Sequence, residues 1–164
     1  MARSRRLSPT IRRRIMGSIR STNTLPELAV RSALHRAGLR FRLHVANLPG
    51  SPDIVLPRHR LVVWVHGCFW HRHRDCPISK QPKRNRDYWK RKFRRNVCRD
   101  RRNDTAVRGL GWQTLVVWEC ETQAADALRD RMARLARLLR SPRAKNFPHW
   151  PSTELDSRRK KSNP

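Results

Sequence analysis

The sequence predicts a single α/β domain in which helices flank a mixed central sheet. Short apolar runs rich in β-branched residues, typical of buried strands, occupy residues 53–56, 61–65 and 112–118. Amphipathic helical patterns precede, separate and follow these runs, and 164 residues are enough for one hydrophobic core. With a further strand before residue 53, the predicted order is α, α, β, β, β, α, β, α.

Residues 1–22 are predicted to form a basic helical arm. Ser8 and Pro9 are typical of a helix start, and isoleucines recur at four-residue spacing after them. The basic face of this helix could contact DNA directly. Alternatively, the helix could be solvent-exposed and packed only through its isoleucines.

A second helix begins after Thr24, and Glu27 completes the capping-box pattern three residues later. Gly38 stands where this helix is expected to end. Glu27 therefore has a full structural explanation, and a catalytic role is the alternative that its spacing leaves open.

Residues 39–45 alternate between apolar and polar side chains, which predicts a half-buried strand. Residues 47–52 are turn formers, and Asp53 enters the next strand. A turn-forming aspartate is the ordinary interpretation of Asp53. A ligand for Mg²⁺ is the functional one.

A long helix is predicted over residues 87–108, with Trp89 on its buried side, where core packing is the structural interpretation. Thr122 is predicted to cap a last helix that runs to Arg140. Residues 141–164 are rich in proline and basic residues without periodicity, which predicts a partly disordered tail.

The chain carries 39 Lys and Arg against 12 Asp and Glu, a net charge of +27. Such an imbalance points to a polyanionic partner, of which nucleic acid is the commonest. A GC-rich genome would enrich arginine but would not explain the scarcity of acids. Because neither a membrane span nor a signal peptide is visible, we expect a cytoplasmic protein whose cysteines are thiols or metal ligands.

Residues 66–76, HGCFWHRHRDC, concentrate reactive side chains directly after the strand 61–65. A core strand is a rigid support from which such groups can be aimed. Cys68, His73 and Cys76 from this stretch, with Cys120 after another strand, form a normal Cys₃His set for structural Zn²⁺, and reduced thiols in a basic loop are the alternative.

The two remaining histidines of this stretch, His66 and His71, are then available for acid–base chemistry.

Three strings resemble the very short patch repair (Vsr) endonucleases in order and spacing: LPGSPDIV at 48–55, VHGCFWH at 65–71 and VWEC at 117–120. The resemblance implies a restriction-endonuclease-like fold for an endonuclease domain at residues 23–140. It implies an enzyme that cuts one DNA strand beside a T:G mismatch, which arises when 5-methylcytosine deaminates. We accordingly expect a monomer whose partner is double-stranded DNA with a T:G mismatch, with mismatch-repair accessory proteins as further candidates.

Carried over by position, the resemblance implies that Asp53 binds Mg²⁺, with the backbone carbonyl of Val65 completing its shell. His71 is similar to the catalytic histidine that activates the attacking water or relays its proton. Three further residues resemble polar groups that support the hydrated metals or lie near them: Glu27, His66 and Asp100.

The resemblance also implies an aromatic wedge that enters the base stack next to the mismatch, formed by Phe69, Trp70 and Trp89. Its structural zinc ligands match Cys68, His73, Cys76 and Cys120. Met16, in the N-terminal arm, is expected to contact the DNA.

Two features depart from the expected pattern. Seven residues separate Cys68 from Cys76, one more than in the family pattern. The strand 61–65 also lacks the acid and lysine of the general nuclease motif, which excludes a lysine-dependent mechanism. The resemblance implies that histidine is used instead.

Two other functions stay open from the sequence. One is a nickase that recognises sequence or structure without depending on a mismatch. The other is a non-catalytic zinc-containing nucleic-acid-binding protein, which would leave Asp53 and His71 without a role.

Overall fold

The computed structural model describes Ser8 and residues 22–141. Helices and strands follow one another in this part of the chain in the order α1 (Leu25–Arg36), β1 (Arg42–Leu43), β2 (Ile54–Leu56), β3 (Leu61–His66), α2 (Arg86–Gly109), β4 (Gln113–Trp118) and α3 (Ala125–Arg140). The mixed α/β prediction is confirmed, whereas the restriction-endonuclease-like fold and the domain boundaries stay predictions. The predicted N-terminal helix with Met16, and the tail after Ser141, lie outside the described residues.

The sheet has the strand order β1-β2-β3-β4. β1, β2 and β3 pair antiparallel, and β3 pairs parallel with β4, with His66 opposite Trp118. The carboxyl ends of β3 and β4 therefore lie at the same edge, so the segments that follow them become neighbours. None of the helices in residues 22–141 combines the length and apolar character needed to cross a membrane.

β3 is buried on both faces, which explains its continuous apolar sequence. Leu61 and Val63 face one hydrophobic core together with side chains of α1 and α3. Val62 and Trp64 face a second core, which includes Val107 of α2. Fully burying each such aliphatic side chain contributes about 1.5–3 kcal/mol, so β3 is a firm support for the residues that follow it.

The capping box of α1 is confirmed, because the Thr24 hydroxyl accepts from the Glu27 amide and the Glu27 carboxylate accepts from the Thr24 amide.

The predicted strand 39–45 is wrong in extent. Only Arg42 and Leu43 pair with β2, and both are exposed. Leu39 instead packs into the core below α1, and His44 has a left-handed backbone with φ of +46° that ends the strand. The alternation of apolar residues thus arose from a connecting segment that packs against the core, which local pattern cannot distinguish from a strand.

The prediction that Thr122 caps the last helix is also wrong. Residues 119–122 form a 3₁₀ turn, in which the Thr122 hydroxyl donates to the Glu119 carbonyl. α3 begins three residues later, at Ala125. The hydroxyl is used within the turn and is not available to the helix.

Candidate active site

A cleft of about 860 Å³ lies at the sheet edge where β3 and β4 end. The end of β3, the loop after it, the first turn of α1, the turn before β2 and one face of α2 all contribute to its wall. Most of the sequence-predicted site residues line it together: Glu27, Asp53, Val65, His66, Phe69, Trp70, His71 and Asp100. Trp89 lies beside this group against Phe69. The chain thus brings these residues to one place, while their roles stay predictions.

Asp53 lies just before β2 and reaches across to β3. Its Oδ2 accepts a hydrogen bond from the Val65 amide at 2.8 Å. Burial raises the pKa of Asp53, the Val65 hydrogen bond partly offsets this, and the nearby charge of Glu27 raises the pKa further. In residues 22–141 no lysine or arginine forms an ion pair with this carboxylate.

The position of Asp53 suits a divalent cation. A partly buried carboxylate with a raised pKa is stabilised when a proton or a metal ion neutralises it, and Mg²⁺ prefers carboxylate oxygen. The contact with Val65 described above uses its amide group, so the expected metal contact through its carbonyl stays a prediction.

His71 and Asp100 form a hydrogen-bonded pair, with Nδ1 to Oδ2 at 2.6 Å. Burial alone would raise the pKa of Asp100, but the hydrogen bond and charge of His71 outweigh it and hold the pKa below its usual value. Asp100 is therefore an ionised partner that orients the ring of His71.

His66 stacks on His71, with ring centroids 4.1 Å apart and ring planes 6° apart. Burial and the neighbouring His71 lower the pKa of His66 to about 3, so His66 is neutral at physiological pH.

His66, His71 and Asp100 bring potential metal-ligand atoms within 4.8 Å of one another. An imidazole lone pair lies in the ring plane, however, and two parallel stacked rings do not direct their lone pairs at one ion. This geometry does not favour joint metal binding by the two histidines, and their role in acid–base chemistry stays a prediction.

Glu27 is buried, and hydrogen bonds engage both of its oxygens. Oε2 accepts from the Asn23 amide at 3.0 Å and from Arg31 Nη2 at 2.7 Å. Oε1 accepts from the Thr24 hydroxyl at 2.8 Å. Arg31, itself only 8% exposed, forms an ion pair with the carboxylate and also lies 3.2 Å from His44 Nε2. These contacts favour a supporting role for Glu27 in the wall of the cleft.

The cysteine and histidine side chains predicted to bind zinc come together beside the cleft. Ligand atoms of Cys68, His73, Cys76 and Cys120 all lie within 4.8 Å of one another. His73 Nδ1 is 3.4 Å from Cys68 Sγ and 3.3 Å from Cys120 Sγ. This set could hold a metal ion, and its chemistry matches tetrahedral Zn²⁺.

Burial raises the pKa of the Cys68 thiol to about 12 and also raises that of Cys120. Such thiols ionise at neutral pH only beside a cation, as in a zinc site. Arg72 and Asp75, in the same loop, have left-handed backbone conformations with φ of +57° and +53°.

Aromatic side chains form a continuous cluster, of which Phe69 and Trp70 line the cleft. Phe69 contacts Trp70 and Trp89 edge to face, with ring centroids 5.0 and 5.4 Å apart. Trp89 also stacks on Phe93 at 5.5 Å but stays partly exposed. Lys92 Nζ lies 5.0 Å from the Trp70 ring. Trp89 thus packs against its neighbours while still being able to contact a ligand.

Some residues in the wall of the cleft were not singled out from the sequence. Asn96, Arg99 and Asn103 share a face of α2 with Asp100, at helical spacing that a search around Asp100 would have found. Glu119 follows β4 directly and precedes Cys120. Its position after a strand parallel to β3 was the available signal.

Sequence comparisons show which known proteins this chain is similar to. The family model described as DNA mismatch endonuclease Vsr matches residues 5–77. Type II nicking enzyme V.XorIIP from Xanthomonas oryzae pv. oryzae is 53% identical over 127 residues, 77% of this chain and 93% of that protein. DNA mismatch endonuclease Vsr from Escherichia coli is 41% identical over 115 residues, 70% of this chain and 73% of that protein. Type II nicking enzyme V.NmeAIP from Neisseria meningitidis is 41% identical over 123 residues, 75% of this chain and 87% of that protein.

Proposed function

Because the chain belongs to the Vsr family of DNA mismatch endonucleases, and is thus an endonuclease that nicks DNA, we propose that it cuts one strand of a duplex beside a T:G mismatch. In this proposal the mismatch is a product of 5-methylcytosine deamination, and the hydrolysis depends on Mg²⁺ in a restriction-endonuclease-like fold. The observation that supports it most is that Asp53, the His71–Asp100 pair and the aromatic residues Phe69 and Trp70 line the same cleft.

His71 is the proposed general base. When Asp100 accepts a hydrogen bond from Nδ1, the proton of a neutral His71 lies on Nδ1 and the lone pair on Nε2. Nε2 can then take a proton from the water that attacks the phosphorus atom. The ionised Asp100 stabilises the imidazolium that results, and neutral His66 packs against the ring and limits its rotation.

Asp53 is the proposed direct ligand of Mg²⁺, with the carbonyl of Val65 beside it. A bound Mg²⁺ would stabilise the charge that develops on the phosphate and on the leaving oxygen. Asp53 is held for this role by the Val65 amide. Glu27 contributes negative charge nearby, but its oxygens are already engaged by Asn23, Thr24 and Arg31.

Mismatch recognition is assigned to the aromatic cluster. Inserting Phe69, Trp70 and Trp89 next to a base pair costs a few kcal/mol of unstacking. That cost is lowest where the pair is already weak, as in a T:G wobble. The three rings contact one another and are only partly buried, which suits such an insertion.

A structural Zn²⁺ is proposed at Cys68, His73, Cys76 and Cys120. It would stabilise the loop of residues 67–76, where most side chains are only partly buried, through ligands from both its ends and from the segment after β4. The loop carries both the wedge and His71, so its order is a condition for cleavage.

The test is nicking of three matched substrates, namely a T:G duplex, the fully paired duplex and the single strand. We expect Mg²⁺-dependent nicking of the T:G duplex by the wild type, and none by Asp53→Ala or His71→Ala, both of which should still bind it. Undiminished nicking by both variants would refute the mechanism.

Similarity to proteins named type II nicking enzymes favours a second candidate, a nickase that recognises a sequence without requiring the mismatch. Equal nicking of the T:G and the fully paired duplex would favour it over the first.

A further inference from the structure

We propose that Glu119 is a positioning residue, which holds the loop of residues 67–73 in the form that cleaves DNA. The inference extends the proposed function, because this loop carries Phe69, Trp70 and His71. Glu119 itself lies at the end of β4, and nothing in the sequence pattern of the site assigned it a role.

Glu119 holds the loop through its backbone. Its Oε2 accepts a hydrogen bond from the amide of Cys68 at 3.0 Å, across 51 positions of sequence. Cys68 is fully buried, so its amide would lose its partner without this carboxylate. A hydrogen bond to an ionised acceptor is also about twice as strong as a neutral one.

Backbone hydrogen bonds connect Gly67 and Cys68 to the rest of the loop. The Gly67 carbonyl accepts from the His71 amide at 3.1 Å, and the Cys68 carbonyl accepts from the His73 amide at 3.0 Å. Because these hydrogen bonds tie the two segments together, a displacement of the Cys68 backbone would also displace His71, the proposed base. Glu119 therefore acts on His71 through the backbone.

Glu119 also lies next to the aromatic wedge. A Cβ atom placed on Gly67 would be 3.3 Å from Trp70 Cδ1 and 3.8 Å from Glu119 Oε2. The carboxylate, the glycine backbone and the indole ring are thus in close proximity, and all three line the cleft.

Because Glu119 is negatively charged, its effect on loop position can be distinguished from an effect on DNA binding. A carboxylate in a cleft that receives phosphates repels the substrate, so its removal should not weaken binding. If Glu119 positions the loop, its loss should appear in the cleavage rate while affinity is unchanged or higher. A residue needed only for folding would lower both.

Three substitutions at position 119 test this inference, by single-turnover nicking and by equilibrium binding to the same duplex. Glu119→Gln keeps the reach and an acceptor oxygen but loses the charge. Glu119→Asp keeps the charge but is too short to reach the Cys68 amide. Glu119→Ala removes both.

We expect the cleavage rate to fall about 10- to 100-fold in the Ala and Asp variants. The Gln variant should stay within several-fold of the wild type, and all three should bind the duplex at least as tightly. Zinc content should stay at the wild-type level. Glu121→Gln is the matched control, because Glu121 is in the same turn and accepts from the Trp118 amide at 2.7 Å outside the cleft wall.

The inference is overturned if all variants cleave at the wild-type rate, if Asp restores cleavage and Gln does not, or if rate and affinity fall together. If the Ala variant does not fold, the comparison of Gln with Asp decides. Failure of the proposed function is separate, because it would appear as wild-type nicking that ignores the mismatch. The Glu119 variants would then be compared on the duplex that the wild type does nick.

Discussion

Replacing Asp100 by asparagine tests the chemistry of the site most directly. The substitution is nearly isosteric, and the asparagine oxygen can still accept the hydrogen bond from His71 Nδ1. What is lost is the negative charge that stabilises an imidazolium 2.6 Å away. His71, the proposed base, would therefore keep its position but would accept a proton less readily.

The magnitude follows from the geometry of the pair. The side chains of His71 and Asp100 are only 20% and 18% exposed, so water screens their interaction weakly. A hydrogen bond to a charged group contributes about 1.5–3 kcal/mol and one between neutral groups about 0.5–1.5 kcal/mol, so loss of the charge with the bond retained should cost about 1–1.5 kcal/mol. Since 1.36 kcal/mol is a tenfold change in rate, single-turnover nicking should slow by about 5- to 13-fold.

The assay is single-turnover nicking of a T:G duplex at saturating enzyme, with binding measured separately. Asp126→Asn is the control, because that carboxylate is 86% exposed on α3 and pairs with Arg129, away from the cleft. Nicking by Asp100→Asn within twofold of the wild type would refute the assignment of Asp100 as the partner of the base. Reduced binding in proportion to the rate would refute it as well.

Further predictions concern Asp53, Glu27 and the cysteine cluster. Asp53→Asn should abolish nicking yet raise the melting temperature of the metal-free protein at neutral pH. Because the pKa of Asp53 is raised, its ionisation destabilises the folded state above the usual pKa of 3.8. The gain in melting temperature should therefore vanish below that pH. No gain in melting temperature at pH 7 would contradict the argument. Glu27→Gln should cost about 3–5 kcal/mol by leaving Arg31 buried without a counter-charge, which lowers the melting temperature by roughly 6–20 °C. The double variant Glu27→Gln/Arg31→Met should recover most of this loss, and equal melting of single and double variants would argue against the ion pair. Cys76→Ser should reduce bound zinc below one per chain and lower the melting temperature. Cys98→Ser, at an exposed position on α2, should change neither. Full zinc content in Cys76→Ser would exclude Cys76 as a ligand.

The sequence by itself determined most of the local structure. The Thr24–Glu27 capping box, the apolar runs of β2, β3 and β4 and the long basic helix α2 are all present where their patterns predict them. These features depend on residues a few positions apart, or on a periodicity that repeats along one element. The short sequence motifs at or beside β2, β3 and β4 also carried the resemblance to the family.

Only the tertiary structure decided which distant groups meet. The parallel pairing of β3 with β4 brings Glu119 to the Cys68 amide and Cys120 to His73, and the packing of α2 brings Asp100 to His71. It also decided that residues 39–45 would be mostly a connecting segment rather than a strand. The reason is physical: hydrogen bonds between residues 29 to 51 positions apart depend on sheet register and helix packing, which arise from burial of the whole core.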